Sequence, residues 1–294
     1  MSSVPSLIHP VPSLVFRRRS AWRRFVRSKL SVAGLVWLTL IAAATAFGPW
    51  LAPHRPTDMD FMHANEGPSW QFPFGTNNLG QDLFSMVLYG IRYSMVIAVV
   101  ATAVAFLVGA VIGLAAGMRG GWVDHVLMRF TDFMFAFPGF YFAMILLVTL
   151  GRGMPSLILA IGVTQWAGFA RLIRGLVLTM RDGDLVESGH AIGASTWYIA
   201  TRYVFPNIVN SIIVYTAFTM ANMMNQEAML SLIGFGPELP VVSFGTLMAM
   251  GATYDLGYTY LMYIPTSIFI LTLMSLVAVG DGLQEMLSPK GAVK

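Results

Sequence analysis

Residues 93–118 read YSMVIAVVATAVAFLVGAVIGLAAGM, and not one of them is charged. At about 1.5 Å per residue a helix of this length reaches about 39 Å, more than the roughly 30 Å hydrocarbon core of a bilayer. Backbone amides in lipid must be satisfied within their own segment or in a closed barrel, and the run lacks the alternation of a barrel strand. It therefore reads as a membrane-spanning helix.

Five more stretches are mostly apolar and free of Asp, Glu, Lys and Arg, at 31–51, 133–151, 153–170, 203–226 and 256–280. Six spans make the expected fold an all-α polytopic membrane protein. The whole chain agrees, since only 11% of its 294 residues are charged and 56% are hydrophobic, against about 25% charged in soluble domains. A basic flank followed by an apolar run would also suit a signal peptide. The 31–51 run is long for one, however, and ends in Phe47-Gly48-Pro49-Trp50-Leu51 without a small-residue cleavage site. Pro138 and Pro265 lie inside expected spans and predict kinks.

Orientation is read from the basic residues. Arg17, Arg18, Arg19, Arg23, Arg24, Arg27 and Lys29 precede the first span, interleaved with Phe16, Trp22, Phe25 and Val26. Such a patch also suits nucleic acid, but the membrane that follows favours anionic lipid as the partner. Trp22, Phe25, Val26 and Leu30 fall near one face, as an interfacial helix requires. With this end inside, 15 of the 18 Lys and Arg residues are cytoplasmic, leaving Arg55, Arg92 and Arg152 outside. The expected organisation is a basic amphipathic amino terminus over 1–30, a first span over 31–51, an extracytoplasmic loop over 52–85 and a core over 86–294. Both termini are expected in the cytoplasm.

The core contains an inner segment too polar for lipid and too short for a domain, RLIRGLVLTMRDGDLVESGHAIGASTWYIATRYVFPN, from Arg171 to Asn207. Asp184 is placed to cap a helix, with Glu187 in the capping-box position. Leu185, Ile192 and Ile199 recur every seven residues, while Gly189 and Gly193 remove side chains four apart. Two glycines weaken a short helix by about 1 kcal/mol each. Docking against a cytoplasmic partner would offset that, and a plain connecting loop is the alternative.

A resemblance bears on that choice. Glu187-Ser188-Gly189-His190-Ala191-Ile192-Gly193-Ala194-Ser195, followed by Ile199 and Phe205-Pro206-Asn207, resembles the EAA motif of ABC importer permeases, with Ser188 and Gly189 in place of two alanines and Phe205 in place of leucine. In that family the motif forms the coupling helix that seats in the ATPase. Residues 23–35, Phe74-Gly75-Thr76-Asn77-Asn78-Leu79-Gly80-Gln81-Asp82, Leu230-Ser231-Leu232-Ile233-Gly234-Phe235-Gly236 and Gly280-Asp281-Gly282-Leu283 with Ser288-Pro289-Lys290 are similar, in order, to the second-subunit (C-type) form of the dipeptide and oligopeptide branch. Gln81 stands where arginine is usual. The resemblance implies type I importer architecture in the bacterial inner membrane. It also implies a homologous second permease, two ATP-binding subunits and an extracytoplasmic solute-binding protein as partners. Coupling would fall to Asp184, Glu187, Gly189, Ala191, Gly193, Ala194, Ser195 and Pro206, within the loop 171–206.

Other polar residues lie in or beside the expected spans. Arg129 and Asp132, three apart, can pair on one helical face, either as a structural ion pair or in transport. Asn222, Asn225, Gln226 and Glu227 make a polar stretch, and Asn222 and Gln226 share a face that suits a solute path or helix-to-helix hydrogen bonding equally well. His125 and His190 have no second ligand at metal spacing, and no metal is expected. The sequence contains no Gly-x-x-x-x-Gly-Lys-Ser/Thr loop, so ATP and Mg are expected on partner chains. A self-sufficient secondary transporter would call for inverted repeats, and an intramembrane enzyme for a motif such as His-Glu-x-x-His. Neither is visible.

Overall fold

The computed structural model describes residues 22–238, 241–253 and 256–287. Arg17, Arg18, Arg19, Lys290 and Lys294 lie outside the described residues. Among the described residues, the helical segment 22–27 is followed by ten helices: α1 (Lys29–Leu51), α2 (Leu83–Arg119), α3 (Gly121–Ala136), α4 (Gly139–Leu150), α5 (Met154–Arg181), α6 (Asp184–Ala191), α7 (Thr196–Ile199), α8 (Phe205–Leu230), α9 (Phe244–Ala252) and α10 (Tyr260–Leu287). Five continuous helical stretches among these residues are long and apolar enough to cross a membrane: α1, α2, α5, α10 and the rod Thr196–Phe235. The pair α3 and α4, bent by 85°, makes a sixth when counted as one span.

The kink expected at Pro138 is a full break, which divides the apolar run 133–151 between two helices. Pro138 is the residue before α4 and has an extended ψ of 111°. Its ring cannot donate to the ladder, and it disfavours helical backbone at Phe137, which also sits extended at ψ 132°. The helix is therefore broken here. Pro265, by contrast, lies inside continuous α10.

The longest helix, α2, begins ten residues before the apolar run, because Asp82 caps it. The Asp82 carboxylate accepts from the amides of Phe84 and Ser85 and from the Ser85 hydroxyl at 2.6 Å. The preceding Gly75–Asp82 stretch folds against it. The Asn77 side-chain oxygen accepts from the amides of Leu79 and Gln81, and Gln81 donates to the Pro56 carbonyl at 2.6 Å. The Tyr260 hydroxyl, 2.8 Å from the Thr76 carbonyl, ties this segment to α10.

Helix α2 runs through two apolar cores. One gathers α2, α4, α5 and the start of the rod around Ile97, Leu157, Phe169, Ile173 and Ile199. The other gathers α1, α9, α10 and the rod's far half around Met86, Met224, Phe244 and Leu247. Lipid tails are as apolar as leucine, so helices in a bilayer associate through close packing. A seam in α2 provides it: a Cβ at Gly113 would lie 2.6 Å from the Ala170 carbonyl oxygen of α5, and one at Gly117 would lie 2.7 Å from Val177 Cβ. Gly109 continues the same four-residue spacing, facing Phe169 and Trp166.

Residues 22–27 are helical, but the expected apolar face divides. Phe25 is buried, while Trp22, Val26 and Leu30 remain exposed. Gly282 of α10 makes room for the Phe25 ring, since a Cβ there would lie 2.7 Å from it. Helix α1 then docks on α10, with the Ser31 hydroxyl donating to the Ala278 carbonyl at 2.8 Å.

Candidate coupling surface and translocation face

The polar segment after α5 forms two short helices. Gly183, not Asp184, precedes α6, and no side chain caps it. The expected capping box is therefore absent. Asp184 and Glu187 instead occupy the first turn, where the helix dipole favours carboxylates. Both are exposed.

Gly189 is buried, but by its own chain, because a Cβ there would lie 3.0 Å from Ile199 Cδ1. The small residue lets α6 lie on α7. Gly193 has a different reason to be glycine. The Gly193 amide donates to the His190 carbonyl at 2.9 Å and the Ala194 amide to the Gly189 carbonyl at 3.0 Å, the paired bonds of a Schellman turn. That motif requires left-handed backbone at this position, and Gly193 has φ 80°. Its missing Cβ would meet nothing within 4 Å.

Ser195 then caps α7, its hydroxyl oxygen accepting from the Tyr198 amide at 3.2 Å. Ala191 is exposed and Ala194 half-buried. Just before Pro206, the ladder widens over Ala200–Val204, where the Phe205 amide reaches back to the Ala200 carbonyl. The rod absorbs the proline's missing donor without breaking. What this compact turn offers outward is apolar: Ile192 is 80% exposed, Trp197 59% and Tyr198 50%. Ile199 is fully buried, so the seven-residue repeat marks no single face.

Helices α3 and α5 are joined by two ion pairs. Arg174 holds Asp124 through two bonds, at 2.5 and 2.6 Å, and Arg171 holds Asp132 at 2.8 Å. Asp132 thus pairs across to α5, and the expected Arg129–Asp132 pair does not form. Both carboxylates of α3 thus meet arginines of α5.

The polar stretch of α8 also divides. Asn222 and Asn225 are exposed, whereas Gln226 is buried and accepts from Gln165 of α5 at 3.0 Å. Asn222 and Gln226 share spacing but not surroundings. Glu227, which the sequence offers no reason to separate from its neighbours, is fully buried. Its two carboxyl oxygens accept from Ser94 of α2 at 2.8 Å and Ser231 at 2.7 Å, and the Ser94 hydroxyl accepts from the Phe244 amide that opens α9. One carboxyl group thus ties three elements together. The i, i+4 spacing of Glu227 and Ser231 was the available signal.

Among the described residues no three His, Asp or Glu side chains are grouped to hold a metal. The family of binding-protein-dependent transport system inner membrane components matches residues 109–292, more than half of the chain. The chain belongs to this family. Residues 17–68 of the permease also match the N-terminal transmembrane domain of oligopeptide transport permease C. The permease is 34% identical to the dipeptide transport system permease protein DppC of Bacillus subtilis over 95% of its own length and 87% of that protein's. It is 32% identical to the oligopeptide permease OppC of the same organism, over 92% and 89%. A glutathione permease, GsiD of Pectobacterium atrosepticum, matches at 32% over 92% and 91%. Among solved structures, a chain of the MetNI methionine ABC transporter in inward-facing conformations shares the fold, with a TM-score of 0.57, 16% identity and coverage of 69% of the permease and 97% of that chain. The permease is a multi-pass inner membrane component of a binding-protein-dependent transport system, and it has the fold of that ABC transporter chain.

Proposed function

We propose that this permease imports short peptides across the bacterial inner membrane, and that α6 and α7 carry the stroke of a partner ATPase into the bundle. The observation that supports coupling is the apolar triad Ile192, Trp197 and Tyr198, exposed on a turn that Gly193 and Ser195 hold in shape. Large apolar side chains left half or more exposed on a polar connection keep most of that surface in water, and depletion of charge with enrichment of aromatics is what the core of an interface has. Asp184, Glu187, Ala191, Ala194 and Pro206 frame this surface. ATP and Mg bind to two partner subunits. A homologous second permease completes the path, with Asn222 and Asn225 of α8 on the open side, and an extracytoplasmic binding protein delivers solute. The peptide assignment rests on the dipeptide, oligopeptide and glutathione relatives, which share a peptide-like cargo.

Two measurements test this reading. Purified from cells co-expressing its neighbouring genes, the permease should retain an ATPase, and Ile192→Asp with Trp197→Asp should release it. Retention by the double variant would overturn the coupling assignment. Sidedness is tested by single cysteines in the cysteine-free chain: Thr57→Cys should label from outside the cell, and Thr196→Cys only after permeabilisation. The reverse pattern would invert the topology.

A further inference from the structure

A cleft of about 520 Å³ opens between residues 55–57, the first half of α2, the start of α5 and the strand of chain before α9. Its walls are mostly apolar, with Val96, Met154, Val241 and Val242 among them. Thr57, Tyr89, Arg55, Arg92 and Tyr93 break this lining, and the last three decide its chemistry. Arg55 and Arg92 are exposed at its edge, and among the described residues neither guanidinium has a hydrogen-bond or ion-pair partner. Tyr93 is only 7% exposed, and its hydroxyl is covered without a hydrogen-bond partner. Buried hydroxyls are nearly always paired, so an orphaned one in a cleft wall points to a ligand.

The chemistry of the three groups narrows that ligand. Guanidinium offers only donors, in a fork that matches a carboxylate. Among the described residues no Asp or Glu lines the cleft, so its charged lining favours an anion over a cation. The cleft volume lies within the range of about 300–1,000 Å³ typical of small-molecule sites. We propose that this cleft binds the carboxyl-terminal end of a short apolar peptide, with the carboxylate on Arg55 and Arg92, a side chain against Met154, Val96 and Val242, and the Tyr93 hydroxyl donating to a backbone carbonyl. The proposal rests on the peptide reading above and extends it to a selectivity: a free carboxylate is required at the permease itself. An anionic lipid headgroup with its acyl chain shares the general chemistry of an anion on an apolar body and is separated by experiment.

The probe is a phenylalanyl dipeptide ending in photoreactive leucine, presented as the free acid or the amide. It is applied to the whole transporter complex without binding protein, in nanodiscs of purely zwitterionic lipid. The free acid should label α2. The amide, and the Arg55→Gln/Arg92→Gln double variant, should label about 10- to 100-fold less. Tyr93→Phe should weaken labelling severalfold while leaving the thermal unfolding midpoint unchanged. Equal labelling by acid and amide, or full labelling of the double variant, overturns the proposal. So does labelling that anionic lipid displaces and unlabelled dipeptide does not, which assigns the cleft to lipid. Uptake by vesicles containing the complete system separates the two readings. If the wild type imports no peptide, the peptide assignment fails; if it imports peptide and the double variant does so equally well, only the cleft assignment fails.

Discussion

Gly193 offers the sharpest test of the coupling turn, because its neighbourhood separates backbone effects from contacts. Its φ of 80° lies in the left-handed region, where an ordinary L-residue costs about 1–2 kcal/mol and asparagine less. Since 1.4 kcal/mol is about a factor of ten, alanine should lower the population of the formed turn by about 5- to 30-fold. Helix α6 has eight residues, too few for stability of its own, so little reserve absorbs that loss. A Cβ at this position meets nothing within 4 Å. Alanine and leucine should therefore cost the same within the chain, and any difference between them reports an outside surface. ATPase captured by the permease, and solute uptake in the same cells, are measured at matched membrane abundance for Gly193→Asn, Gly193→Ala and Gly193→Leu. The expected order is Asn, then Ala, then Leu, with Asn within about threefold of wild type. Alanine equal to or better than asparagine would refute the backbone argument. Alanine equal to leucine would show that no partner surface approaches here.

Three further outcomes follow from the fold. Glu227→Ala leaves the Ser94 and Ser231 hydroxyls without their shared acceptor, at about 1–3 kcal/mol each; the thermal midpoint in detergent should drop, while Glu227→Gln should stay close to wild type. Gly113→Leu should sharply reduce the amount of folded permease, because its Cβ would sit 2.6 Å from the Ala170 carbonyl, whereas Gly175→Leu on α5, with nothing within 4 Å, should not. In the 52–82 segment, the hydrogen bond between His63 and Asp60 raises the His63 pKa and lowers that of Asp60. The histidine's contribution is complete below its ordinary value and is lost as pH rises through its raised one. The carboxylate's contribution is complete above its ordinary value and is lost as pH falls through its lowered one. Hydrogen exchange at the Met62 amide, which donates to Asp60, should therefore be slowest between these limits after correction for intrinsic rates, and Asp60→Asn should flatten the profile.

The spans were legible because each apolar run reports its own solvent. The polar segment 171–206 was legible as distinct from the spans because polar residues and glycines together stand out between such runs. What could not be read depends on neighbours. Proline marked kinks at both Pro138 and Pro265, but not that the first breaks its helix by 85° while the second lies inside a continuous one. Asp132 has Arg129 one turn away, yet it meets Arg171 of α5 instead. Asn222 and Gln226 lie on one stripe by spacing, and only the placement of α5 decides that Gln226 is covered. Spacing singled out Gly193 for close approach, whereas what requires glycine within the chain is its backbone angle.

The bend between α3 and α4 also concerns the lipid beside it. Helix α4 has 12 residues, about 18 Å at 1.5 Å per residue, against a hydrocarbon thickness of about 30 Å. Its outward side chains, Tyr141, Ile145, Val148 and Leu150, are more than half exposed. Where α4 faces lipid, its own length falls short of the hydrocarbon core, a mismatch that thins a bilayer locally. Turnover is then expected to respond to the length of the surrounding acyl chains.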